Sequence, residues 1–393
     1  MKRFGRITLF AVALGCGLAS LRWLADPGPS TRFEPSDARA RAPQRAGSES
    51  AIPLPREIAQ PPVDFGGAYG QPEGAVSREE GLTHYVLGAK LLELGDFYSA
   101  ASHLALARDG LGAFGRICEL LAIAYDQLNM SVDLLEIMPC LAREAREQSS
   151  ASRLYDRLRR QVDVELEFRA AASDHFVASF PAVGPSAAAI GQVLDTLERA
   201  RRRVDADIGF ASMRLVPVVI YEGGQLEAAT DSPHWALGLY DGKIRIAIDT
   251  FHDKPEWFET VITHEYVHAL THEYTGTRLP SWFREGLADN LARHDRGTRD
   301  LLTASLEEPG PLLDIHDLNG AFMMLSKETA VRVYRQSYWM VRNLVEEAGW
   351  GAIGDLLRDL HENRELRFDE AFTDFYGESP VEYLDRWYDV AFR

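Results

Sequence analysis

Cysteine is scarce: three in 393 residues, at positions 16, 118 and 140. That excludes a small cross-linked scaffold, and a chain this long can bury cores for two domains. Excess basic charge is missing too. A net charge of −17 argues against nucleic acid as a partner and leaves a solvated, acidic surface. The apolar run Ile7 to Ser20 falls short of the ~20 residues a bilayer requires, and Arg22 follows it. Preceded by Lys2, Arg3 and Arg6, it reads as the core of an export leader, so the expected location is the periplasm or cell envelope. Three fates stay open for residues 1–25. Ala13-Leu14-Gly15-Cys16 loosely matches a lipobox, which would make Cys16 a lipidated membrane tether. Cleavage after Ala19 would release the chain, and an uncleaved leader would anchor it. Cys118 and Cys140 could pair in an oxidising compartment if their helices are neighbours, or stay as two buried thiols.

What the sequence does carry is His264-Glu265-x-x-His268. Pro255 suits a first helical turn and Gly276 the position past a helix end, with no Pro or Gly between them. On that helix His264 and His268 share a face, offset by about 6 Å of rise, so both imidazoles can reach one Zn²⁺ at about 2 Å. Glu265, a step round the helix, can act on water without ligating the metal. A third protein ligand is needed. Pro280 and the N-cap residue Ser281 open a second helix with Glu285 about 6 Å into it. In an antiparallel hairpin Glu285 comes level with His268 to within about a turn, and Asp289 falls nearer His264. Asp289 is placed there to receive an imidazole N–H.

These residues resemble the gluzincin metallopeptidases, the clan of thermolysin and the aminopeptidase-N-like enzymes. Trp282-Phe283-x-Glu285-Gly286-Leu287-Ala288 is similar to the signature of bacterial peptidase MA-like domains. The resemblance implies Zn²⁺ as cofactor, His264, His268 and Glu285 as ligands, Glu265 as general base and a peptide or protein substrate. Two further absences narrow it. The third His that a metzincin needs is replaced by Tyr274, and the G-x-M-E-N motif of the aminopeptidases is missing, which favours an endopeptidase. In the aminopeptidase-like members a Tyr on a later helix steadies the oxyanion. Tyr334 is similar in placement, without the usual Lys-Gly pair, and Tyr338 is the reserve. His272 reads as surface or supporting packing.

The expected architecture is α+β: a small twisted sheet followed by a helical, thermolysin-like domain at 161–393, with an all-helical module at 77–160 and a flexible Pro/Ala/Gly/Ser/Arg-rich tether at 26–76. Ser77 to Glu80 is a capping-box pattern. Gly88, Leu91, Gly95, Phe97, Ala100, Leu104 and Ala107 resemble the packing positions of a tetratricopeptide repeat, and Ala122, Tyr125 and Asn129 echo them 34 residues on. The module is read either as a groove for a protein partner or as a spacer. Gly110 to Gly115 satisfies GxGxxG, but with no strand before it this is an inter-helix loop.

Within 161–393, Val164, Leu166 and Phe168 alternate, as do Phe176, Ala178 and Phe180, predicting two strands. A helix with Ile190, Val193, Leu194, Leu197 and Val204 inward follows, its Arg201-Arg202-Arg203 run a solvated end. Leu215 to Tyr221 reads as a strand in which Pro217 marks an edge or bulge. Trp235 to Leu239 and Ile244 to Ile248 flank Asp241-Gly242, a two-residue hairpin signal. By the resemblance, the strand around Trp235 to Tyr240 would pair with substrate backbone. Pro309-Gly310-Pro311 marks a loop, and the tail through Trp387 is helical core. A rival reading is an exported interaction protein that keeps a silent zinc fold and works through the helical module. A hydrolase of non-peptide amides has the same ligand set.

Overall fold

Residues 57–58, 75–146, 149–232, 237–248, 255–292, 313–319 and 327–391 are described by a computed structural model. The leader, most of the tether, Trp235 and the Pro309-Gly310-Pro311 loop lie outside them. No helix among the described residues is long and apolar enough to cross a membrane.

Five helices come first: α1 (Arg78–Glu93), α2 (Phe97–Leu111), α3 (Gly115–Gln127), α4 (Ser131–Ala145) and α5 (Ser149–Glu165). The capping box at Ser77 and Glu80 starts α1. At Gly88 a Cβ would stand 2.7 Å from Leu104 Cγ, so the small residue permits close packing of α1 on α2. Leu104, Ile117, Leu121, Leu134, Leu141 and Leu158 form the module's own core. Cys118 on α3 and Cys140 on α4 form a disulfide, which settles the question the sequence left open.

The sheet runs β1-β2-β3-β4-β6-β5, formed by Glu57–Ile58, Phe168–Ala172, Phe176–Pro181, Val216–Tyr221, Ile244–Ala247 and, last, Gly238–Tyr240. β3, β4 and β6 are mutually parallel, and the remaining neighbours are antiparallel. One face, with Phe176, Ala178, Val218, Ile220, Ile244 and Ile246, packs on α6 (Ala187–Ile208) and the long helix α8 (Pro255–Thr275). The other face, with Phe168, Val219, Tyr221 and Leu239, meets α7 (Gln225–Thr230) and Val164 of α5. Beyond α8 come α9 (Ser281–Ala292), the short α10 (Ile315–Leu318), α11 (Lys327–Glu362, broken at Gly349), α12 (Phe368–Tyr376) and α13 (Pro380–Ala391).

Several expectations need correction. Val164 and Leu166 are not strand: α5 runs to Glu165, and Leu166 N–H still donates to Val162 C=O, so the helix continues past the expected module end at 160. Pro217 lies in a central strand. Val216 N–H donates towards β3, so position 217 faces β6, whose pairing begins only at Val218, and no ladder bond is lost. Asp241-Gly242 belongs to a three-residue connection, since Tyr240 pairs with Ile244 and Gly242 has φ +105°. Glu57–Ile58, within the expected tether, instead add a strand to the edge of β2. Arg203 is not a solvated end: its Nη1 lies 2.9 Å from Glu259 Oε1 and its Nη2 donates to Thr263 Oγ1 at 3.0 Å, tying α6 to α8.

Module and sheet meet at buried charges, among them Asp126 Oδ1 and Lys243 Nζ at 2.7 Å. Burial would raise the Asp126 carboxyl, but Lys243, Arg157 and Arg245 outweigh it and hold its pKa at about 2. A carboxyl depressed by folding stabilises the fold above its ordinary value near 3.8 and loses that contribution as pH falls towards 2. Acid titration followed by near-ultraviolet circular dichroism should therefore show stability falling between about pH 4 and 2, with a shallower fall for Asp126→Asn.

Candidate metal centre

The α8–α9 hairpin turns at Gly276, whose φ of +61° glycine adopts without strain. Val261, Ile262, Val267 and Leu270 of α8 and Trp282, Phe283, Leu287 and Leu291 of α9 are fully buried. This core fixes how the two helices face one another. At Gly286 a Cβ would come 2.3 Å from Ser337 C=O, so the glycine lets α9 lie directly on the α11 backbone. Asn290 Nδ2 donates to Gly286 C=O and Tyr338 C=O, locking the same contact.

Four side chains from the hairpin converge. His264 Nε2 and His268 Nε2 are 3.0 Å apart, and Glu285 Oε2 lies 3.5 Å from the first and 3.3 Å from the second. Asp289 Oδ1 stands 3.0 Å from His264 Nδ1, on the far side of that ring. Glu265 is buried beside them, and its Oε2 has no hydrogen-bond partner among the described residues. Arg284 Nε approaches Glu285 Oε1 at 3.3 Å.

Electrostatics favour positive charge at the centre. Burial works against a charged His264, yet Asp289 and Glu285 outweigh it and raise its pKa to about 10. Burial would raise Glu285 as well, but His268, His264 and Arg284 pull it well below the usual carboxylate range. Glu265 goes the other way: burial lifts it to about 8, with Glu285 and Asp289 adding to the shift and His264 opposing it. The His268 imidazole is lowered, chiefly by burial.

The donors fit a divalent cation. Two imidazoles and a carboxylate, all buried, offer atoms within 4.8 Å of one another. Four tetrahedral ligands at about 2 Å from Zn²⁺ stand about 3.3 Å apart, and the three distances here bracket that value.

Other expected residues are placed as follows. His272 is not among the donors: its Nδ1 lies 3.4 Å from Tyr240 Oη, against β5. Tyr334 and Tyr338 are buried on α11, and Tyr334 belongs to the main core. Gly238 escaped sequence reasoning. A Cβ there would meet Val261 Cγ1 at 2.8 Å, Glu265 Cγ at 3.1 Å and Glu265 Oε1 at 3.2 Å, so strand β5 lies directly on Glu265. A glycine inside a strand signals close backbone approach, and that signal was present.

A mixed sheet lies against a helix that carries two imidazoles, and the next helix adds a carboxylate, a set of donors able to hold a divalent cation. Residues 196–391, just under half of the chain, match the model of the Peptidase MA superfamily, and the donor hairpin lies within that span. No curated protein and no solved structure matches the chain.

Proposed function

We propose that the protein is a zinc metallopeptidase acting as an endopeptidase. The observation that carries this is the buried triangle of His264 Nε2, His268 Nε2 and Glu285 Oε2, whose edges suit a tetrahedral ion. Bound there, zinc supplies Lewis acidity that polarises the scissile carbonyl and lowers the pKa of the attacking water. Glu265 takes the proton of that water on its carboxylate and passes it to the leaving amine. A carboxyl pushed upwards by burial suits both halves of that task. Tyr334 donates its hydroxyl to the oxyanion; Ser337 and Tyr338 mark the α11 face towards α9, and Tyr334 lies one turn earlier on it. Strand β5, last in the sheet, pairs with extended substrate backbone and so demands little of its sequence.

Asp289 orients His264 and raises its basicity. For Asp289→Asn, zinc affinity measured by competition with a chromogenic chelator should fall about 10- to 100-fold with the fold intact.

Export into an oxidising compartment is part of the proposal. It is supported by the basic and apolar leader pattern and by the Cys118–Cys140 pairing. A silent interaction protein would have no use for Glu265 beside the donors, which disfavours that reading.

The test is metal analysis followed by digestion of a peptide library, read by mass spectrometry. We expect stoichiometric zinc, internal cleavage, loss of cleavage with a chelator and recovery with added zinc. Zinc present without cleavage of any peptide would overturn the peptidase reading in favour of a silent or non-peptide site.

A further inference from the structure

Sheet residue Arg245 is wholly buried, although β6 already supplies Ile244 and Ile246 to the main core. It faces the helical module. Its Nη1 lies 2.9 Å from Glu165 Oε1 and its Nε 2.9 Å from Asp241 Oδ1, and it also reaches Tyr221 Oη. Lys243, in the β5–β6 connection, lies 2.7 Å from Asp126 Oδ1 and 4.0 Å from Glu165 Oε2. Arg157 bridges the two sides, with Nη2 3.2 Å from Asp126 and Nη1 3.6 Å from Asp241. The Gln161 amide, oriented to satisfy its neighbours, donates to Asp126 Oδ1 at 3.0 Å and accepts from Arg245. Three acids and three bases thus cancel within one cluster. Asp126, Arg157 and Glu165 belong to α3 and α5, while Asp241, Lys243 and Arg245 belong to the hairpin.

Burying five charges, with the partly exposed Arg157 as the sixth member, is a poor route to stability, since apolar side chains of similar volume would do as well. Its best-attested use is to fix register. Here the element held in register is the one nearest the centre. Arg245 pairs across the ladder with Leu239, and the next residue, Gly238, is the one laid against Glu265. One residue along β5 separates the ionic cluster from the proposed general base.

We propose that the helical module is a positioning device for catalysis, using the Asp126–Lys243, Glu165–Arg245 and Arg157 contacts to hold β5 at the spacing from Glu265 that an extended peptide requires. Lys243, Arg245 and Arg157 are positioning residues, acting through the strand. Anything that shifts α3 or α5 is then felt at the substrate-pairing edge. The inference rests on the peptidase reading for the role of β5, while the mechanical coupling of module to strand does not.

The experiment uses the full-length chain with Lys243→Gln, Arg157→Gln and Arg157→Lys, each followed by hydrogen exchange and zinc content. In both Gln variants the β5 amides at 238–240 should exchange about tenfold faster, with the α8 amides at 263–268 and the zinc content unchanged. Against a peptide from the library, KM should rise about tenfold with kcat nearly constant, the mark of lost substrate binding, and Arg157→Lys should restore it. Arg157 is partly exposed, so its variants carry the test if Lys243→Gln fails to fold. Unchanged β5 exchange in a folded variant overturns the proposal, as does equal loosening of β5 and α8. Faster β5 exchange in a protein that cleaves no peptide refutes the peptidase and keeps the coupling; cleavage with exchange and KM unmoved does the reverse.

Discussion

Glu265→Gln should lower peptide turnover by about two to four orders of magnitude while zinc content stays at the wild-type level. The amide is nearly isosteric and adds no charge, and Glu265 makes none of the short contacts that hold the donor triangle together. What it removes is a proton acceptor. Glu265 Oε2 is buried without a partner among the described residues, so no hydrogen bond holding the fold is lost at that atom. Burial and the acidic neighbours Glu285 and Asp289 already hold that carboxyl largely protonated at neutral pH, so a neutral amide takes its place at little cost and the variant should melt near the wild-type temperature. Steady-state assay beside metal analysis and a melting curve checks all three expectations. Cleavage at the wild-type rate would remove Glu265 from the mechanism.

The second large effect concerns Gly286→Ala. One methyl group there must come within 2.3 Å of the Ser337 carbonyl oxygen and 2.7 Å of both its carbon and Val341 Cγ2. Two of those three atoms are backbone, so no side-chain rotation relieves the clash. Helices α9 and α11 must separate, at a cost of about 3 kcal/mol, the upper end for an overpacked core. Glu285 is the adjacent residue and moves with α9. A displacement of even 1 Å spoils a donor triangle whose longest edge is 3.5 Å. Denaturant unfolding should show the lost stability, and a chelator competition should show zinc affinity reduced well beyond that of Asp289→Asn.

The donor triangle was legible in the sequence because its logic is local. His264 and His268 are placed by helical spacing alone, and the short turn through Gly276 leaves α9 little choice but to return alongside α8. Asp289 followed from the same hairpin, and the structure sets it 3.0 Å from His264. What the sequence hid is long-range and ionic. Arg203, Lys243 and Arg245 look like surface residues by type, because residue type does not reveal which charges will pair across the fold, as Lys243 and Arg245 do when buried and Arg203 does while partly exposed. Their partners Glu259, Asp126 and Glu165 lie 56 to 117 positions away. Val164 and Leu166 misled for another reason. A two-residue alternation over so short a stretch is equally the last turn of a helix, and only the hydrogen bond from Leu166 to Val162 decides between them.

The four converging side chains all fall within residues 264–289, on two consecutive helices. A cation held there would therefore act as a rivet through one supersecondary unit, with its binding energy spent on bringing α9 against α8. It would add nothing to the grip between sheet and module, which is made elsewhere by the ionic cluster and by Val164 packing on the sheet. Stripping the metal then loosens a hairpin while the remainder of the molecule keeps its shape.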